Sequence, residues 1–374
     1  MKAAVLLAPG RIEVREVPSP EPGPHEVLVR VAAVGICGTD QHIVAGHANY
    51  NRDGRGRPIP LAREPQILGH EIMGVVEAAG TNVRDIRVGD RVVVDQGRSC
   101  VSEGRAQRCE YCTSGDSHQC EFYREHGITG LPGGFAQYIA IPALNAVPVE
   151  SDIDAAVAAL TEPLGCVVHS SDVLTRAPAR YPLRGVRSAL VCGAGPAGLL
   201  FVQYLRNVLG FEGVLLVSEP SAEKRALATR FGAEVIDPTA VDLPAVVAER
   251  TQGRRAELVI EATGSGEVLA SLPGLIRKQA TVLLYGHGHA GVDMSVLNPL
   301  QFLEPVLLSP VGASGGHEAD GRPSTYVRAL RLIECHQVEV GSLITHCYPS
   351  LDAVPRAFAG DHRAPAYVKG VVTL

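Results

Sequence analysis

Residues 188–198 read Ser-Ala-Leu-Val-Cys-Gly-Ala-Gly-Pro-Ala-Gly. The apolar run Ala189 to Cys192 predicts a buried strand, and the apolar pattern over residues 199–209 predicts a helix. Between them, Gly193-Ala194-Gly195-Pro196-Ala197-Gly198 fits G-x-G-x-x-G. Each glycine has its own task in that setting. Gly193 permits a tight turn, Gly195 lets a pyrophosphate approach the backbone, and Gly198 lets the helix pack close to the strand. Pro196 and Ala197 complete the turn, where free N–H groups and the positive end of the helix dipole hold phosphate charge. In a chain with 40 glycines the hexapeptide alone says little. The strand before it and the helix after it give it meaning.

Residues 213–218 predict a second buried strand, and Glu219 stands at its end, 21 residues past Gly198. An acid at about that spacing hydrogen-bonds the adenosine ribose diol of a dinucleotide. A carboxylate there repels a 2′-phosphate, so the expected cofactor is NAD rather than NADP. The plainer alternative is that Glu219, followed by Pro220 and Ser221, only caps the next helix.

The bulk numbers exclude several classes. A chain of 374 residues has room for roughly two domains. With 46% hydrophobic and 20% charged residues it has the composition of a soluble globular protein. A net charge of −6 leaves no basic excess for nucleic acid or an anionic membrane. The N-terminal apolar run, residues 3–8, is too short for a signal peptide, and no run approaches the roughly 18 residues of a membrane span. The expectation is a cytoplasmic protein, whose nine cysteines serve as metal ligands or buried thiols rather than disulfides.

Residues 1–148 predict short strands, at 2–7, 12–16, 26–34, 74–79, 91–94 and 135–141, separated by proline- and glycine-bearing turns. Residues 46–65 are polar, rich in arginine and proline and without period, which predicts a long surface loop. Strands at 189–192, 214–217, 257–261 and 281–285 then alternate with helices at 199–209, 222–231, 243–250 and 266–277. That alternation implies a parallel, doubly wound sheet. A helix at 324–335 and strands at 343–348 and 367–372 resemble the first part again. The organisation is an α/β domain inserted into a β-rich one.

Two sets of residues carry metal chemistry. Cys37, His70 with Glu71, and Glu162 supply thiolate, imidazole and carboxylate, a plausible zinc shell that leaves a position for water or substrate. Nothing local joins them, and each has an ordinary alternative as a packing, core or capping residue. Cys100-x8-Cys109-x2-Cys112-x7-Cys120 is different, because four thiolates close a tetrahedral zinc and leave no open position. That site is expected to be structural. Cys166, Cys192, Cys335 and Cys347 are read as packing residues.

The order Cys37-Gly-Thr-Asp-x-His42, Gly69-His70-Glu71, a Cys-x2-Cys-x7-Cys lobe, Glu162-Pro163 and the glycine turn resembles the zinc-dependent medium-chain dehydrogenase/reductase family of the alcohol dehydrogenase superfamily. The polyol, sugar and threonine dehydrogenase branch is the most similar, through Cys-Gly-Thr-Asp-x-His and Gly-Gly-Phe-Ala-x-Tyr (residues 133–138). Glu162 sits where simple alcohol dehydrogenases carry cysteine.

The resemblance implies a GroES-like catalytic domain over residues 1–159 and 316–374, and a Rossmann NAD-binding domain over 160–315, with the active site between them. It makes Cys37, His70 and either Glu162 or Glu71 the catalytic zinc shell, Thr39 the contact to the substrate oxygen, and His42 the proton relay. It also implies a homo-oligomer, dimer or tetramer. One departure is that the family's first lobe cysteine falls here at Ala106, so Cys100 must substitute from a longer loop. The other is the length of the 46–65 loop, where substrate selectivity is set. The expected activity is hydride transfer between NAD and a secondary hydroxyl of a polyol, sugar or similar small polar alcohol. The alternatives are a zinc-independent enone or quinone reductase of the same fold, or a non-catalytic dinucleotide sensor.

Overall fold

A computed structural model describes residues 1–313 and 315–374. The chain divides into two compact units: Met1–Cys166 with Ala313–His336 and Val340–Leu374, and Val167–Gly312 with Gln337–Glu339.

The first unit opens with β1 (Lys2–Ala8), β2 (Arg11–Glu16), β3 (Glu26–Ile36), β4 (Gln66–Ile67), β5 (Glu71–Ala79), β6 (Arg91–Val94), β7 (Gly97–Arg98), β8 (Arg124–Glu125), β9 (Tyr138–Pro142) and β10 (Ala146–Pro148). The second holds β11 (Ser188–Cys192), β12 (Val214–Ser218), β13 (Glu234–Ile236), β14 (Ala256–Glu261), β15 (Ile276–Leu284) and β16 (Val306–Leu308). The chain then returns to the first unit with β17 (Ile344–Tyr348) and β18 (Lys369–Thr373).

In the first unit the main sheet runs β10-β6-β5-β3-β18-β17, with β9 on the first half of β3, and β2-β1-β4 form a smaller sheet. β3 is the spine. It pairs antiparallel with β5, β9 and β18, so it carries partners along its whole length. Its alternation of buried and open positions gives way after Val31 to the buried run Ala33–Ile36, where the strand enters the core. Ile72, Phe135, Ile139 and Val372 pack there, all but closed to solvent. Truncating one of them to alanine costs about 2–5 kcal/mol.

The second unit is a six-stranded parallel sheet, order β13-β12-β11-β14-β15-β16, with helices between the strands. Its central strands are buried along their whole length, as in a parallel sheet covered on both faces. Strand order reverses beside β11, from which the chain steps first to β12 and later to β14. Such a switch point leaves a crevice outside the carboxyl ends of the strands.

Several expected boundaries move. The strand expected over 135–141 begins only at Tyr138, because the N–H groups of Gly133, Gly134 and Phe135 bond to carbonyls of Ile67, Gly69 and Leu68 instead. The helix expected over 266–277 ends at Leu275, since Ile276 already pairs with Ala256 in the sheet. β13 and β16 were not expected at all. Each has three residues, too few to show a period. Cys335 and Cys347 are exposed rather than packed.

Candidate active site and dinucleotide site

Cys37 directly follows β3 and caps the helix Gly38–Val44. Glu71 begins β5, with His70 just before it, and β5 runs antiparallel beside β3, so the two chain segments meet at one end of the ladder. The ligand atoms of Cys37, His70 and Glu71 all lie within 4.8 Å of one another. Asp40, fully buried, ties the two segments together. Its carboxylate accepts the Cys37 N–H at 2.9 Å and the Gly69 N–H at 3.2 Å. Asp40 Oδ1 also lies 3.4 Å from His70 Nδ1, close enough for charge attraction but too long for a good hydrogen bond. Burial alone would push His70 down, yet the charges of Asp40 and Cys37 win and hold it well above the ordinary histidine range.

Glu71 is closed to solvent. Its Oε1 accepts from the buried Lys369 ammonium, which also donates to Ile36 O at 3.0 Å. Its Oε2 has no hydrogen-bond partner among the described residues. A buried carboxylate oxygen left without a donor is costly unless a cation meets it. Beside a thiol and an imidazole it completes a donor set that fits zinc. Glu162 lies outside that trio. Its Oε1 accepts from Gln96 Nε2 at 3.2 Å and from the Cys166 thiol at 3.4 Å. Burial raises Glu162 to about 7, against the opposing charge of His70. Cys166 is therefore part of this surround rather than plain packing.

Thr39 and His42 lie on the helix that Cys37 caps, one turn apart and both partly buried. Sequence reasoning missed Asp40, Lys369 and Glu125. Glu125 hydrogen-bonds to Gln96 and Tyr123, and burial raises its pKa against the His70 charge. No motif marked it. Tyr326 donates to Gln96 Oε1 and extends this buried polar network.

The four lobe cysteines also converge, within 4.8 Å of one another. Cys100 Sγ stands 3.5 Å from Cys120 Sγ, and Cys109 Sγ 3.8 Å from it. A disulfide needs about 2.05 Å, whereas four sulfurs about 2.3 Å from a tetrahedral zinc stand about 3.8 Å apart. Zinc fits. Cys100 does take the place of Ala106, which is exposed on the extended loop.

In the second unit the glycine turn behaves as its residues require. Gly193 has φ +94°, and a Cβ on Gly198 would fall 2.0 Å from Gly193 O. A Cβ on Gly195 would meet nothing within 4 Å, the open approach that a pyrophosphate needs. Pro196 opens the helix Pro196–Gln203. Glu219 Oε2 accepts the Ala194 N–H at 2.8 Å, which aims the carboxylate at the turn. Capping of the following helix falls to Ser221, whose side chain accepts from Lys224 N.

Comparison with known proteins agrees with this geometry. Residues 23–151 match the alcohol dehydrogenase GroES-like domain, and residues 196–333 the zinc-binding dehydrogenase domain. L-threonine 3-dehydrogenase of Pyrococcus furiosus is 32% identical over 92% of this chain and 90% of its own length. Sorbitol dehydrogenase of Halalkalibacterium halodurans is 29% identical over 91% and 89%. Among solved structures, a zinc-binding dehydrogenase of Sinorhizobium meliloti bound to NADP superposes with TM-score 0.81 at 31% identity, covering 100% of this chain and 99% of that one. The chain belongs to the zinc-dependent medium-chain alcohol dehydrogenase superfamily. It is an enzyme, a zinc-dependent dehydrogenase that uses a nicotinamide dinucleotide. The zinc-independent reductase and the non-catalytic sensor fall away. No helix among the described residues is long and apolar enough to cross a membrane.

Proposed function

We propose that the enzyme oxidises a secondary hydroxyl of a polyol, sugar or related small polar alcohol, with NAD as acceptor. The observation that carries this reading is the buried polar surround of Cys37, His70 and Glu71. Gln96, Glu125 and Glu162 bring an amide and two carboxylates to that neighbourhood, more hydrogen-bonding capacity than a simple alkyl alcohol uses. The names of the relatives, a threonine and a sorbitol dehydrogenase among them, point to the same class.

Cys37, His70 and Glu71 would hold the catalytic zinc, with Glu162 beside them, and Cys100, Cys109, Cys112 and Cys120 the structural one. Gly193, Gly195, Pro196, Ala197, Gly198 and Glu219 would hold the dinucleotide. When bound, zinc supplies Lewis acidity toward the substrate oxygen and NAD accepts the hydride. The protein supplies positioning and proton movement. Asp40 sets its charge beside the His70 ring, Thr39 takes the hydroxyl proton as it gives its own onward, and His42, three residues on and on the same helix face, passes it outward.

The same reading includes a homo-oligomer built from a second copy of this chain. β16 is the edge strand of its sheet, paired among the described residues only with β15, and Met294, Leu297, Phe302, Leu307 and Val311, from the strand and the sequence flanking it, are exposed. An edge of that kind pairs with itself about a twofold axis. Light scattering on the wild type and on Leu307→Asp tests this part; a wild-type monomer overturns it.

The activity is tested with zinc-loaded protein, NAD and a panel of polyols, sugars and hydroxy-amino acids, following NADH absorbance. Turnover confined to simple alkyl alcohols would overturn the substrate class. His70→Ala should lose several orders of magnitude in kcat/KM while still binding NAD.

A further inference from the structure

Glu261 ends β14 in the interior of the second unit, fully closed to solvent. Its carboxylate accepts from Thr263 N at 2.7 Å, from the Thr263 hydroxyl and from Gly264 N at 3.1 Å. A further donor comes from another segment: His289 Nε2 lies 2.7 Å from Glu261 Oε2. His289 follows β15, is 18% exposed, and has φ +45°, a left-handed conformation that a non-glycine residue rarely adopts. Its N–H bonds to Gly264 O at 2.6 Å, and Ala290 bridges to Ser265. The turn after β14 and the loop after β15 are thereby fastened into one body.

That body stands at the carboxyl ends of its strands, where the dinucleotide crevice lies. It also touches the glycine turn, since a Cβ on Gly193 would fall 2.8 Å from Thr263 Cγ2. Glu219, at the end of β12, marks the adenosine side of the switch point, and the glycine turn after β11 takes the pyrophosphate. The other half of the cofactor must then run past β14 and β15.

We propose that His289, latched by Glu261, is a positioning residue that sets the wall against which the nicotinamide half of the dinucleotide rests. The proposal rests on the placement of the dinucleotide at the glycine turn, and its test separates the two. Calorimetric titration of the zinc-loaded enzyme with NAD and with ADP-ribose, which lacks the nicotinamide, reads the two halves of the site independently. His289→Ala should weaken NAD binding about tenfold and leave ADP-ribose within twofold. His289→Gln, whose amide N–H still reaches for Glu261, should recover part of the loss. Equal weakening of both ligands, or no change in either, overturns the latch as a positioning device. Gly195→Asp, which puts a carboxylate in the pyrophosphate approach, should abolish binding of both ligands. If it does not, the placement at the glycine turn is wrong and the latch falls with it.

Discussion

Gly35 and Glu71 are register partners on β3 and β5, and a Cβ added at Gly35 would stand 1.8 Å from Glu71 Oε2. The same oxygen is the one without a hydrogen-bond partner among the described residues. The carboxylate fits only because residue 35 has no side chain, with Lys369 holding its other oxygen. Gly35→Ala should therefore drive Glu71 out of place and lower the affinity of the Cys37 site for zinc. The four-cysteine site should keep its metal. Elemental analysis after partial chelation is expected to find about one zinc per chain instead of two, at a stability cost of about 1–3 kcal/mol for the crowding. Two zincs held as firmly as in the wild type would show that Glu71 is not a ligand.

Asp40 is expected to act through His70. Its carboxylate joins the Cys37 and Gly69 backbones and faces the imidazole. Groups that orient a ligating histidine typically contribute 10–100-fold in metal affinity or activity. Asp40→Asn, nearly the same shape, should lower zinc affinity by that factor, measured by competition with a chromophoric chelator. An unchanged affinity would reduce Asp40 to a helix-start residue.

How far the sequence reached follows from the range of each signal. The strand, glycine turn and helix at 188–203 are local, and β11, β12 and β14 were legible from short apolar runs between turns. β13 and β16 were not, because three residues show no period. Cys100, Cys109, Cys112 and Cys120 lie within 21 residues and could be grouped by spacing. Cys37 and His70 are brought together only by the β3–β5 ladder, so resemblance, not spacing, joined them. Lys369 comes from the far end of the chain to reach Glu71. Gly35 did carry a readable sign, since a glycine inside an apolar strand marks a close approach by something else.

His126 gives the pH prediction. It is 3% exposed, Nδ1 lies 2.8 Å from Pro132 O, and Nε2 is buried with no partner among the described residues. Burial pushes its pKa down to about 4 from 6.5, more than the Pro132 hydrogen bond restores. Between those values the unfolded chain holds a proton that the folded one does not. Stability from this group is complete above pH 6.5 and is lost as pH falls toward 4, about 3 kcal/mol in all. Denaturant unfolding of the wild type and His126→Gln at pH 7.5 and 4.5 isolates it, because other groups cancel in the difference. The wild type should lose more stability than the variant by about 2–3 kcal/mol. Parallel losses would mean that His126 is protonated in the folded protein.

Glu219 decides between the two dinucleotides. Its carboxylate is 7% exposed and directed at the glycine turn, where the ribose hydroxyls of NAD can donate to it. A 2′-phosphate in the same place brings like charge against a poorly hydrated carboxylate, which is repulsive. The neighbouring Arg225 guanidinium does not offset this. It is occupied by the carbonyls of Glu219 and Pro220 and by Asp237 at 3.0 Å. NAD should therefore be preferred by at least about tenfold in kcat/KM, or about 1.4 kcal/mol. Glu219→Gln keeps the shape, removes the charge, and should bring the ratio toward one, chiefly by improving NADP. Equal kcat/KM for both cofactors in the wild type, or a ratio that Glu219→Gln does not move, would take the discrimination away from Glu219.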